Sequence, residues 1–159
     1  MRSGSMPMAS RLLSLLAVVA CKHDAAIDID GELDEAAWNS RAQRAVFVDA
    51  TGARARPYSE LRMLREHGRV YIGLYAADQD IRSTDHFVLD TRAVHLLLGP
   101  TGAAVDLDGT LDKPVDEDEE WVVELALPEE LVGTRIAVRR CDLPKQGGER
   151  CGSWAGELR

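Results

Sequence analysis

The chain has 159 residues, 19 of them basic and 27 acidic, for a formal net charge of −8. That balance argues against nucleic acid or anionic lipid as a partner, since both reward clustered Lys and Arg. The length suits one domain and not comfortably two. The first expected element is a secretory signal: Arg2 and Arg11 give a positive start, and Leu12 to Ala20 is apolar apart from Ser14. This run is less than half of the ~20 residues a membrane-spanning helix needs, so a transmembrane segment is not expected.

Val18-Val19-Ala20-Cys21 resembles a lipobox, the cleavage pattern of bacterial lipoproteins. The resemblance implies removal of residues 1–20 and acylation of Cys21. Residues 21–25 are then a short linker, and the domain runs from 26 to 159. Each buried CH₂ contributes about 0.8 kcal/mol, and several chains anchor stably where one does not. The expected location is the bacterial cell envelope, held through the N-terminal lipid at the outer membrane or its periplasmic face. An ordinary secretory signal with an incidental cysteine is the alternative. With Cys21 acylated, Cys141 and Cys151 are left as an even pair in an oxidising compartment, and a disulfide is expected. A metal pair is the rival, but neither cysteine lies in a C-x-x-C and no histidine is near in sequence.

Along the domain, strands and turns dominate. Ala26 to Ile29 alternates and stops at Asp30-Gly31, a turn signal. Asp34 is expected to cap one helical turn, Glu35 to Asn39, with Ala36, Ala37 and Trp38 against the core. Ala45 to Asp49 reads as a short strand. Leu61 and Met63 alternate with charged residues, and Glu66-His67-Gly68-Arg69 turns the chain into Val70 to Ala77, apolar on both faces and hence central. Ala93 to Leu98 is expected to be a second such strand. Ala103 to Leu107, Trp121 to Leu127 and a closing strand from Thr134 to Arg139 follow, with a short turn or helix from Pro128 to Val132. Short strands at this spacing predict an all-β fold, an antiparallel β-sandwich of jelly-roll or immunoglobulin-like type with one short helical turn near the N-terminus.

Three blocks in this order resemble family 9 carbohydrate-binding modules, one of the DOMON-like sandwiches. They are Ile29-Asp30-Gly31-Glu32-Leu33-Asp34-Glu35-Ala36-Ala37-Trp38; Arg69 to Leu74 followed by Asp78-Gln79-Asp80-Ile81; and Trp121 to Pro128 followed by Leu131 and Gly133. Arg139-Arg140 and Trp154 fall where that family has its closing strand and a late tryptophan. The resemblance implies a non-catalytic module that binds a polysaccharide or oligosaccharide. Two departures bear on function. The chain is abbreviated between Ile81 and Ala93, and the exposed tryptophan pair that grips sugar ends is not evident, because Trp38 and Trp121 match packing positions. Sugar rings need a stacking aromatic and polar groups. The candidates are Trp154, Tyr58, Tyr71, Tyr75, Phe47 and Phe87, with Trp154 and Tyr58 preferred. A core role is the commoner use of any one of them.

Two patterns point elsewhere. Ala104 to Leu111 contains D-L-D-G-T-L and resembles the first motif of haloacid-dehalogenase-type phosphatases, in which the first Asp is a nucleophile and Mg²⁺ neutralises the phosphate. Too little chain follows to build the βα units that motif requires, and Asp28 to Asp34 repeats nearly the same form, as hairpin turns would. Asp78, Asp80 and Asp85 are the best calcium candidates, since calcium wants six to eight oxygens, while acidic turns without an ion are the plainer reading. No cofactor is required. The function expected is a lipid-anchored carbohydrate-binding module, or a surface lipoprotein that kept the fold and lost the sugar site.

Overall fold

The computed structural model describes residues 27–102, 104–113, 118–144 and 147–159. Cys21 therefore lies outside the described residues. Among the described residues, nine strands form two antiparallel sheets: β1 (Gln43–Val46), β2 (Ser59–Glu66), β3 (Arg69–Ala77), β4 (His86–Asp90), β5 (His95–Leu98), β6 (Val105–Asp108), β7 (Glu120–Pro128), β8 (Arg135–Asp142) and β9 (Arg150–Glu157). One sheet has the order β1-β2-β3-β7-β6 and the other β5-β4-β8-β9. Two short helices, α1 (Ala36–Ser40) and α2 (Glu129–Val132), complete the fold. The all-β sandwich expected from the strand pattern is the fold observed.

Alternation of side chains along each strand explains the core. Leu61 and Met63 of β2, Val70, Ile72, Leu74 and Ala76 of β3, and Trp121 and Val123 of β7 face inward. They meet Phe87 and Leu89 of β4 and Ile136 and Val138 of β8. Phe87 packs between Trp121, at 5.0 Å between centroids, and Phe47, edge-on at 6.0 Å. The β2–β3 turn has two residues of positive φ, His67 at 51° and Gly68 at 74°, as a two-residue hairpin with right-handed strand twist requires. Beyond β1, Val48 bridges Ser153 of β9, so one side of the sandwich is stitched together.

Residues 27 to 40 form a strap across the outer face of the five-stranded sheet. Ile27, Ala37 and Trp38 bury against Leu64 and Tyr71, with Ile29, Leu33 and Ala126 at the margin, as a second small core. The strand expected at its start does not form: Ile27 is buried by packing, with no ladder partner. The helical turn is displaced by one residue. Glu35 is the N-cap and makes no side-chain cap bond, and Ala36 is exposed while Ala37 and Trp38 are buried.

Two further expectations are corrected. The strand near residues 93–98 is β5, an edge strand with Leu97 69% exposed, because it pairs only with β4, which lies in the abbreviated stretch between Ile81 and Ala93. The segment expected to close the domain is β8, and β9 follows it. Register fixes two poles. Glu66 pairs with Arg69 and Arg69 with Pro128 at one, which α2 caps; Ser59 pairs with Ala76 and Ala77 with Glu120 at the other.

Candidate functional site

The pole opposite the β2–β3 hairpin carries a cleft of about 710 Å³ lined by Arg56, Asp78, Asp80, Glu119, Asp142 and Arg150, among others. Its floor is a buried knot of charge. Arg140, 2% exposed, projects inward from β8. It donates to the carbonyl of Ala77 at 2.8 Å, to Ser59 Oγ at 3.1 Å and to Asp78 Oδ2 at 2.7 Å. Asp78, Asp85 and Asp142 surround it, with ligand-type oxygens within 4.8 Å of one another. Burial, and then the neighbouring carboxylates of Asp78 and Asp142, push Asp85 up to about 6 against the backbone bonds it accepts from Leu143 and Arg82. Burial also raises Asp142, which pairs with the half-exposed Arg150 at 3.0 Å.

The three aspartates expected as a calcium set are therefore divided. Asp78 and Asp85 come together with Asp142, whereas Asp80 pairs with Arg82 at 2.9 Å. The oxygens of the first two are already engaged: Asp78 accepts from the Asp80 amide and Arg140, and Asp85 from the amides of Arg82 and Leu143. Sequence reading did not find Arg140 or Asp142 as members, because β4–β8 pairing alone brings them to Asp85.

The second candidate is the outer face of the five-stranded sheet, beside the strap. Tyr58 and Tyr75, both half-buried, sit edge to face with centroids 6.0 Å apart, and the Arg54 guanidinium lies 5.7 Å from the Tyr58 ring. Glu60 lies among them. It accepts from Tyr58 Oη at 2.6 Å, from Arg44 Nε at 2.9 Å and from Arg62 Nε at 2.7 Å. Burial alone would raise Glu60, but the bonds from Arg44, Tyr58 and Arg62 outweigh it and bring the group to about 2. Tyr75 is raised, by burial first and then by its hydrogen bond to Glu120. A groove of about 340 Å³ runs from Tyr75 past Arg62, Asp106 and Glu120 to the strap residues Glu32 and Asp34. Aromatic faces next to fixed carboxylates and guanidiniums form the donor and acceptor set that holds a polyhydroxylated ring.

Burial sorts the remaining aromatics. Phe47 and Phe87 are fully buried and Tyr71 is 7% exposed, so none offers a ring face. Trp154 is half-buried on the inner side of β9, packed against the core, and its ring lies over Gly156, where an added Cβ would come within 2.4 Å. Trp38 and Trp121 are fully buried, as packing positions should be. Cys141 and Cys151 are bonded across the β8–β9 ladder with Cα atoms 4.2 Å apart. Asp106 and Asp108 lie on β6, at a sheet edge, and Asp108 leads into the turn at Gly109. The doubly wound sheet that the phosphatase motif belongs to is absent among the described residues.

Searched against family models, curated proteins and solved structures, the chain matches none. The likeness to family 9 carbohydrate-binding modules thus rests on the three ordered blocks of residues alone.

Proposed function

We propose that the chain is a non-catalytic saccharide-binding lipoprotein of the bacterial cell envelope, anchored through acylated Cys21. The observation that carries the sugar reading is the Tyr58–Tyr75 pair set among Glu60, Arg62 and Glu120 at the mouth of an open groove. A tyrosine face stacks on the C–H face of a sugar ring while the flanking charges meet its hydroxyls. The partner is a polysaccharide or oligosaccharide, and no nucleic acid is involved. Calcium is not part of the reading, because an ion among Asp78, Asp85 and Asp142 would have to displace Arg140 or Arg150.

Calorimetric titration with plant and bacterial oligosaccharides tests this. Weak binding is expected, and Tyr75→Ala should reduce it by on the order of 1 to 3 kcal/mol, roughly ten- to hundredfold. Trp154→Ala, which removes a core-facing ring, should lower stability and leave any residual affinity nearly unchanged. One observation favours a second reading: the Tyr58 hydroxyl and both Glu60 oxygens already have partners within the protein. If no sugar binds at millimolar concentration, the domain is a surface scaffold that kept the sandwich without its sugar site.

A further inference from the structure

The strap fixes where the chain enters the domain. Ile27 is buried against Leu64 and Tyr71, near the hairpin pole, since Leu64 pairs with Tyr71 two residues from the β2–β3 turn. Cys21 precedes Ile27 by six residues. Fully extended, that stretch spans at most about 20 Å. The nine-residue β3 is about 30 Å long. A lipid on Cys21 therefore holds the hairpin pole nearest the bilayer, since the cleft end of β3 lies six residues beyond Tyr71, about 20 Å, and would reach the surface only with the tether fully stretched along the domain.

Charge separates the remaining orientations. A domain lying on its strap would press Asp28, Asp30, Glu32 and Asp34 onto the lipid, all exposed and with no basic residue between 27 and 40. At the cleft pole Asp78, Asp80, Asp85, Asp118, Glu119 and Asp142 outnumber Arg56, Arg82, Arg140 and Arg150. At the hairpin pole bases outnumber acids: Arg41 pairs with Glu66 and Arg65 with Glu129, and Arg69 and Arg92 are exposed beside them against Glu130. Of the strap and the two poles, by their described residues, the hairpin pole alone approaches an anionic headgroup layer without a net like charge.

We infer that the domain stands on the bilayer by its β2–β3 hairpin and α2, with the tyrosine groove and the acidic cleft turned away from the lipid. This rests on the proposed acylation of Cys21 and deepens the surface-lipoprotein reading: the ligand face is presented outward, toward material beyond the membrane.

The test uses the acylated full-length product with one fluorophore at a time, on Glu130→Cys of α2, Glu32→Cys of the strap or Gln79→Cys of the cleft pole. Each is reconstituted into phosphatidylethanolamine–phosphatidylglycerol vesicles whose headgroups carry a nitroxide quencher. Quenching is expected to be severalfold stronger at position 130 than at 79, with 32 between them. Strongest quenching at 32 means a domain lying on its strap, and equal quenching at 79 and 130 means a domain that tumbles on its tether; either overturns the inference. Intact mass separates the two layers of the argument. Acylated protein with the wrong quenching order sinks the orientation alone, whereas protein lacking acyl chains sinks the anchor and the orientation with it.

Discussion

Two of the molecule's buried carboxylates, Glu124 and Asp78, are handled differently. Under the strap, Glu124 is 2% exposed and meets no cation among the described residues: its oxygens accept from the Trp38 indole at 2.8 Å and from the amides of Gly31 at 3.0 Å and Asp30 at 3.1 Å. At the cleft pole, Asp78 is 3% exposed and meets the guanidinium of Arg140 directly. Neutral donors do not offset the loss of water around Glu124, and burial pushes it up to about 7. Glu124, held by N–H dipoles, is able to titrate near neutrality, whereas the charge of Asp78 is met directly by the guanidinium of Arg140. The first region is a latch that responds to pH; the second is a structural rivet.

The rivet is where a single substitution should cost most. Arg140→Leu leaves Asp78, Asp85 and Asp142 buried without their shared cation, and the expected loss is roughly 3 to 5 kcal/mol. Denaturant unfolding measures it, and Asp78→Asn in the same background should recover part of the loss by removing one orphaned charge. A full-stability Arg140→Leu protein would show that the knot contributes nothing. Next in size is the disulfide whose first cysteine lies between Arg140 and Asp142. It closes a loop of sequence separation 10. Replacing both cysteines by alanine should cost about 3 kcal/mol on the chain-entropy account, read from the same unfolding curves.

The latch should show itself as a pH slope. Glu124 has an ordinary value of 4.5 and a folded value of about 7, so between those pH values the folded chain holds a proton that the unfolded chain has released. Stability contributed by this group is full below pH 4.5 and is lost as the pH rises to about 7, by roughly 3 kcal/mol. Asp85, raised to about 6, tilts the curve in the same direction. Glu60 acts oppositely, but its contribution is lost only as the pH falls below 4.5 toward about 2. Glu124→Gln should flatten the slope between pH 4.5 and 7 and leave the Asp85 part. An unchanged slope would refute the assignment to Glu124.

The same contrast separates what sequence reading reaches from what it misses. β3 and β7 are apolar on their inward positions and bounded by turns, so their existence, and the central place of β3, are legible from pattern alone. Trp38 is legible as a packing residue. β9 is not legible as a strand: it carries Gly152 and Gly156, which look like turn residues. They are glycines because a Cβ at 152 would meet that of Ala55 at 2.3 Å and a Cβ at 156 would strike the Trp154 ring. The edge position of β5 depends on β4, hidden in a stretch with no clear alternation. Asp78 and Asp85 stand out as an acidic cluster, but their cation lies more than fifty residues along the chain. Tyr58 is legible as a candidate ring, yet choosing Tyr75 over Phe47 or Phe87 requires burial, which no local pattern encodes.

The smallest predicted effect probes whether the two regions are independent. Gly73 of β3 lies beneath the strap, where an added Cβ would meet Leu33 Cδ2 at 2.4 Å and the Trp38 ring at 3.5 Å. Leu33 is half-buried, and its side-chain tip can swing aside, so Gly73→Ala should displace the strap margin without disturbing the sheet. The expected cost is about 1 kcal/mol, at the low end for an extra methyl in a packed site. Hydrogen exchange is the informative readout, because strap opening is a local event with its own free energy. The amides of Asp30 and Gly31, which bond to Glu124, should exchange faster in the variant. The β8–β9 amides around Cys141 and Arg140 should keep their protection. Equal loss of protection at both places would mean that strap and rivet open as one cooperative unit, and the distinction between a latch and a rivet would fail.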